Sequence, residues 1–232
     1  MFLFNPTYLL FMAPAFILMM AAQFYVSSTY KKWSRVQARS QVSGAEAAAR
    51  LIRYGGLHDV EVQQIRGNLT DHYDPRKKVL SLSEGVYRSE SVASLAIAAH
   101  ELGHAVQDKE GYFPLRFRAM IVPVVNIGSY LGWILILIGL LLRLTNLAWL
   151  GVAVFSGGAI FALATLPVEL NASTRARELL TNAGLIVGQE EQRGVNAVLN
   201  AAALTYVAAL FTAVLQLLYW ISIVSGSSGR RR

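Results

Sequence analysis

His100-Glu101-Leu102-Gly103-His104 sets two histidines four residues apart with a glutamate directly after the first. Residues i and i+4 of a helix share a face. Two imidazoles so placed can grip one Zn²⁺. Glu101 then flanks the metal and can take a proton from water. Residues 93–108 read as helix: they are rich in Ala and Leu, lack Pro, and follow a capping cluster at Ser89-Glu90-Ser91. Ala96 and Ala93 lie one and two turns before His100 on its face, leaving room for a partner element or substrate; Ile97 interrupts that room.

A catalytic zinc usually has three protein ligands and one open position. The chain has no Cys, which excludes disulfides, thiolate metal sites and cysteine catalysis. His58 and His72 lie upstream, and no His follows His104. Gln107 and Glu110 stand where a metzincin extension would place its Gly and third His. The third ligand is therefore expected to be a carboxylate, and Glu169 is the first choice. It is a lone acid at the end of an apolar stretch, in Leu166-Pro167-Val168-Glu169. Glu178 is the runner-up, with Arg175 or Arg177 as its expected partner. Glu190 and Glu191 sit at a helix start, where acids are favoured.

The elements that must position these groups lie largely in a membrane. The chain is 54% apolar, concentrated in long runs. The expected fold is a mainly α integral membrane protein: four transmembrane helices plus a cytosolic α+β, zincin-like domain with a small sheet and the HExxH helix. A first transmembrane helix occupies residues 1–27, its apolar run being Thr7–Ser27; it lacks the basic start and cleavage site of a signal peptide. Residues 28–118 form the polar metalloprotease domain. A transmembrane hairpin spans 119–166, with Arg143 as its one charge. Cytosolic helices at 167–200 carry the third ligand, the segment Val168–Thr181 starting a helix after Pro167. A fourth span covers 201–224, and 225–232 is a disordered tail.

Within the polar domain, Ser43-Gly44-Ala45-Glu46 fits a capping box opening a helix Gly44–Tyr54, closed by Gly55-Gly56. Strands are expected at Asp59–Val62, Leu69–Tyr73 and Lys78–Leu82, the last two joined by a turn at Asp74-Pro75-Arg76-Lys77. Lys and Arg number 14 in residues 28–118 and 3 in 168–200, against 1 in the hairpin turn and 3 at the end. The positive-inside tendency then puts the polar domain in the cytoplasm and both termini outside. The net charge of +7 reads as topology and anionic lipid, with no nucleic-acid partner.

The chain resembles the YugP-type neutral zinc metallopeptidases of bacterial membranes over nearly its whole length. The resemblance rests on Asp71-His72-Tyr73-Asp74-Pro75-Arg76, Ala98-Ala99-His100-Glu101-Leu102-Gly103-His104-Ala105, Leu166-Pro167-Val168-Glu169, Asn171-Ala172-Ser173 and Leu199-Asn200-Ala201-Ala202-Ala203-Leu204-Thr205-Tyr206. It implies a four-span membrane protein with a cytosolic-facing zinc site. The layout is also similar to the HtpX and CAAX prenyl protease group, in which a Glu after the membrane hairpin is the third ligand; that Glu maps onto Glu169. An Asp follows it by four residues there, where this chain has Ser173.

The leading expectation is a membrane zinc endopeptidase acting on membrane-proximal or misfolded proteins. His100, His104 and Glu169 hold Zn²⁺, Glu101 moves the proton, and substrate lies along Leu69–Tyr73 or its neighbour. His72, Tyr73, Tyr87 and Arg175 are candidate oxyanion stabilisers or substrate contacts. The alternatives are a zinc-stabilised scaffold without turnover and a transporter. The second lacks the intramembrane charge that ion pathways need. Gly128 and Gly132 form a G-x-x-x-G that permits close helix approach and leaves the oligomeric state open.

Overall fold

The computed structural model describes residues 6–228. Eight helices and three strands follow in the order α1 (Pro6–Trp33), α2 (Gly44–Tyr54), β1 (Glu61–Ile65), β2 (His72–Asp74), β3 (Val79–Ser83), α3 (Glu84–Tyr87), α4 (Val92–Lys109), α5 (Phe113–Leu141), α6 (Thr145–Phe155), α7 (Gly157–Asn182) and α8 (Gln189–Ser228). Among the described residues, four helical stretches are long and apolar enough to cross a membrane: Pro6–Trp33, Phe113–Leu141, Thr145–Asn182 and Gln189–Ser227. The chain divides into two compact units, one of Met1–Ala22, Arg116–Leu166 and Thr205–Arg232, the other of Gln23–Leu115 and Pro167–Leu204.

The first unit is helical and apolar on its outside, with Leu10, Tyr130 and Leu141 more than 70% exposed, as lipid-facing side chains would be. In it α5 and α6 meet backbone to backbone. A Cβ on Gly132 would strike the backbone of Gly151 and Phe155, and one on Gly139 the backbone of Ala148. Gly128 meets only a Val154 side chain and backbone oxygen at ordinary contact distance. The close approach therefore uses Gly132, Gly139 and Gly151 within one chain, rather than the Gly128–Gly132 pair.

The second unit carries the sheet. Its order is β1-β3-β2, with β1 parallel and β2 antiparallel to β3. Central β3 is the buried strand, with Leu80 and Leu82 fully enclosed. The expected strands are shifted or shortened. Val60 closes a turn back to Leu57 before β1 begins. Leu69 has a positive φ of 55°, so the strand expected from Leu69 shrinks to His72–Asp74. The turn after β2 is held by Asp74, whose Oδ1 accepts from the backbone N–H of Arg76 and Lys77. Asp71 accepts from both the backbone and hydroxyl of Ser83, tying the start of the hairpin to its end.

The capping signals are realised. Ser43 accepts from the Glu46 N–H and Glu46 accepts from the Ser43 N–H. At the other end of α2, Gly56 N–H bonds the Arg53 carbonyl and Leu57 N–H the Ile52 carbonyl, a Schellman closure. Ser91 caps α4 through the Ser94 N–H. Ala93 and Ala96, expected to leave room beside the histidines, are fully buried in the unit's own core.

Several helix boundaries differ from expectation: α1 continues past residue 27 to Trp33, and α5 begins at Phe113, before residue 119. Pro167 does not start a helix; it lies inside α7, which runs unbroken from Gly157. Ser156 separates α6 from α7 inside the second arm of the expected 119–166 hairpin. In an apolar surrounding, backbone groups released by a helix break find no water, so helices continue through Pro. The same holds at Pro14 and Pro123. Residues 225–228, expected as part of a disordered tail, complete α8, and 229–232 lie outside the described residues.

Replacing Ser43 by Ala removes one N-cap acceptor and should cost about 1 kcal/mol of stability. Denaturant unfolding of the detergent-solubilised protein, followed by far-UV circular dichroism, measures it.

Candidate metal centre

His100 and His104 project from one face of α4, their rings 4.9 Å apart and nearly perpendicular. Glu169 comes from α7. Its Oε2 lies 3.3 Å from His100 Nε2 and 3.4 Å from His104 Nε2. The candidate ligand atoms of these three residues all fall within 4.8 Å of one another. Glu169 is 2% exposed and His100 9% exposed.

What brings α7 this close is Gly103, between the two histidines. A Cβ there would overlap the backbone of Ala172. Only a residue without a side chain lets the two helix backbones touch. Glu169 lies one turn before Ala172 on α7, opposite the gap between His100 and His104.

The remaining nitrogens of both rings are engaged. His100 Nδ1 lies 3.2 Å from the hydroxyl of buried Ser173. His104 Nδ1 lies 3.0 Å from Oε1 of Gln107. Gln107 is fully buried, and the metzincin comparison alone does not assign it this contact. The signal was there. Gln107 follows His100 by seven residues and His104 by three, a polar group on the site's own helical face.

Glu101 is half-buried and makes no hydrogen bond or ion pair to another described residue. Burial pushes its carboxyl above the ordinary range, against the pull of His100 and His104 and with the push of Glu169 and Asp71. Burial alone would depress His104. Its hydrogen bond to Glu169 and the nearby Glu101 charge raise it above the ordinary value.

The other sequence candidates are placed elsewhere or bound to other partners. His72 is exposed on β2 and its Nδ1 lies 3.0 Å from the Thr70 carbonyl. The Tyr73 hydroxyl donates to Asp108 at 2.9 Å, and Lys78 donates to the same carboxylate at 2.6 Å. Burial, and then Asp108, hold the Tyr73 phenol far above its usual range. Arg175 pairs with Glu110 at 2.6 Å, donates to Asn171 at 2.7 Å and lies over the Tyr112 ring. Tyr87 packs against the core at the end of α3. Glu178 is exposed, outside the cluster, and without its expected partners. Arg175 is taken by Glu110, and Arg177 donates to Asn196 and Asn200. Glu191 is buried and accepts from the backbone N–H of Arg39 and Val187, a structural role. His58 is exposed.

Residues 8–225 match the family described as "Putative neutral zinc metallopeptidase". The chain belongs to this family. It is similar to a protein of Bacillus subtilis (strain 168) described as "Putative membrane protease YugP", with 48% identity over 202 residues, 87% of this chain and 89% of that protein. No solved structure matches it significantly. The family name implies zinc, and the donor set fits. Two imidazole Nε2 atoms and one carboxylate oxygen converge, each ring is held at Nδ1, and two His with one carboxylate is a known catalytic zinc set.

Purified wild type should carry one zinc per chain, and Glu169→Ala should lose it or bind it far more weakly; metal analysis after reconstitution reads this directly. Gly103→Val should force α4 and α7 apart. It should cost about 1–3 kcal/mol in unfolding experiments and lower zinc content alongside.

Proposed function

We propose that this chain is a membrane-embedded zinc endopeptidase that hydrolyses peptide bonds of membrane-proximal or misfolded proteins at a cytosolic-facing site. The observation that carries the reading is the convergence of His100, His104 and Glu169 beside Glu101, a carboxylate with no structural partner among the described residues. A zinc site that only stabilised the fold would need no such neighbour. The cytosolic orientation rests on the distribution of Lys and Arg along the sequence.

His100, His104 and Glu169 would hold the ion. Bound there, Zn²⁺ supplies Lewis-acid polarisation of the scissile carbonyl and lowers the pKa of an attacking water toward about 7. Glu101 accepts the proton of that water and delivers it to the departing amine. β2 is an edge strand, so a substrate segment in extended form can add alongside His72–Asp74 through main-chain hydrogen bonds. His72, exposed on that strand, is the candidate contact to such a segment. Tyr73 and Arg175 are committed to Asp108 and to Glu110 with Asn171, which argues for framing roles rather than direct contact.

Glu101→Gln should lower cleavage of a fluorescently labelled unfolded protein by at least about 10²-fold while one zinc per chain is retained. Full activity in that variant would overturn the proposal.

A further inference from the structure

Ser173 and Gln107 both contact a metal-facing histidine, but they differ in what they can enforce. A hydroxyl both donates and accepts, so Ser173 is compatible with either form of His100. Gln107 has no such freedom. Its Nε2 donates to the Val168 carbonyl at 2.7 Å and to Asn171 Oδ1 at 2.9 Å. A backbone carbonyl only accepts, so the amide nitrogen must face α7. The amide oxygen is left facing His104 Nδ1 at 3.0 Å, and an oxygen there requires an N–H from the ring.

The direction of the chain is fixed again at its far end. Asn171 Oδ1 also accepts from Arg175 Nε at 2.7 Å. A guanidinium has no acceptor, so Asn171 must turn its oxygen toward Arg175 and Gln107. Arg175 is in turn fixed by Glu110 at 2.6 Å and by the Tyr112 ring. Every link therefore points one way: Arg175 donates to Asn171, Gln107 donates to Asn171 and Val168, and His104 donates to Gln107.

We infer that Gln107 is a positioning residue that holds His104 as the Nδ1–H tautomer, reserving the Nε2 lone pair for the metal. Arg175 and Asn171 maintain the orientation of Gln107. The inference rests on the zinc reading of the His100–His104–Glu169 cluster and adds the group that sets the state of one ligand. It also gives Arg175 a role that is neither substrate contact nor oxyanion stabiliser.

The test uses the full-length protein in detergent, with ¹⁵N-labelled histidine and zinc added. In wild type, His104 should bind the metal through Nε2 and show an Nδ1–H signal protected from exchange with water. Gln107→Met, close in size but without hydrogen bonds, should bind zinc about 10–100-fold more weakly in chelator competition and lose that protection. Arg175→Met, which leaves Gln107 in place, should move both readouts in the same direction by less. If Gln107→Met fails to fold, the wild-type spectrum and Arg175→Met decide. Metal bound through Nδ1 in wild type would overturn the inference. So would unchanged affinity with a protected Nδ1–H in Gln107→Met. A wild type that takes up no zinc would bring down the metal reading itself, a failure distinguishable from both.

Discussion

The contact on which the site depends is between two backbones. Gly103 of α4 and Ala172 of α7 touch, and no side chain fits between them. Because α4 holds its histidines at i and i+4, the residue between them faces whatever helix packs on that side. With a larger residue at that position, Glu169 would stand away from the imidazoles. The buried carboxylate would then lose both imidazole contacts. With Gly at 103 it meets two ring nitrogens at 3.3–3.4 Å. The close approach thus decides whether Glu169 reaches the histidines at all.

Around that contact, the unit settles nearly all its buried polar groups. Ser173 and Gln107 are enclosed and hydrogen-bonded to the histidines. Ser81 accepts from Gln63, Ser83 is held by Asp71, and Glu191 takes two backbone N–H groups. Each arrangement satisfies groups that would otherwise cost about 1–3 kcal/mol apiece when buried unpaired. Ser40 Oγ is the buried side-chain atom of this unit left without a hydrogen bond among the described residues. Half-buried Glu101 also has no partner among the described residues, which is consistent with reactivity rather than architecture.

The hairpin motif Asp71-His72-Tyr73-Asp74-Pro75-Arg76 reads differently once its partners are known. Asp71 ties down Ser83, Tyr73 reaches Asp108 on α4, and Asp74 closes the turn. Three of these residues thus build and anchor an edge strand, while His72 points outward from it. Arg175, similarly, belongs to the support of the metal centre through Asn171 and Gln107.

Local features are legible in the sequence: the HExxH helix and its cap, the capping box at Ser43, the hairpin, and four apolar helices. Each is set by neighbours within a few residues, through helical period, turn chemistry or length of an apolar run. It also pointed to Glu169, because a lone acid after an apolar stretch stands out by composition. Matters of partnership depend on contacts between distant segments. Tyr73 and Arg175 have types suited to catalysis, and spacing along the chain carries no record that Asp108 and Glu110 occupy them. Gln107 was visible as a polar residue on the right face, but its role arises from atoms 61 and 64 residues away. Pro167 read as a helix start because local rules assume water to receive the released backbone groups. Tertiary packing overrides those rules: α7 runs through Pro167, and Val168 and Glu169 just beyond it are buried, the Val168 carbonyl accepting from Gln107 of α4.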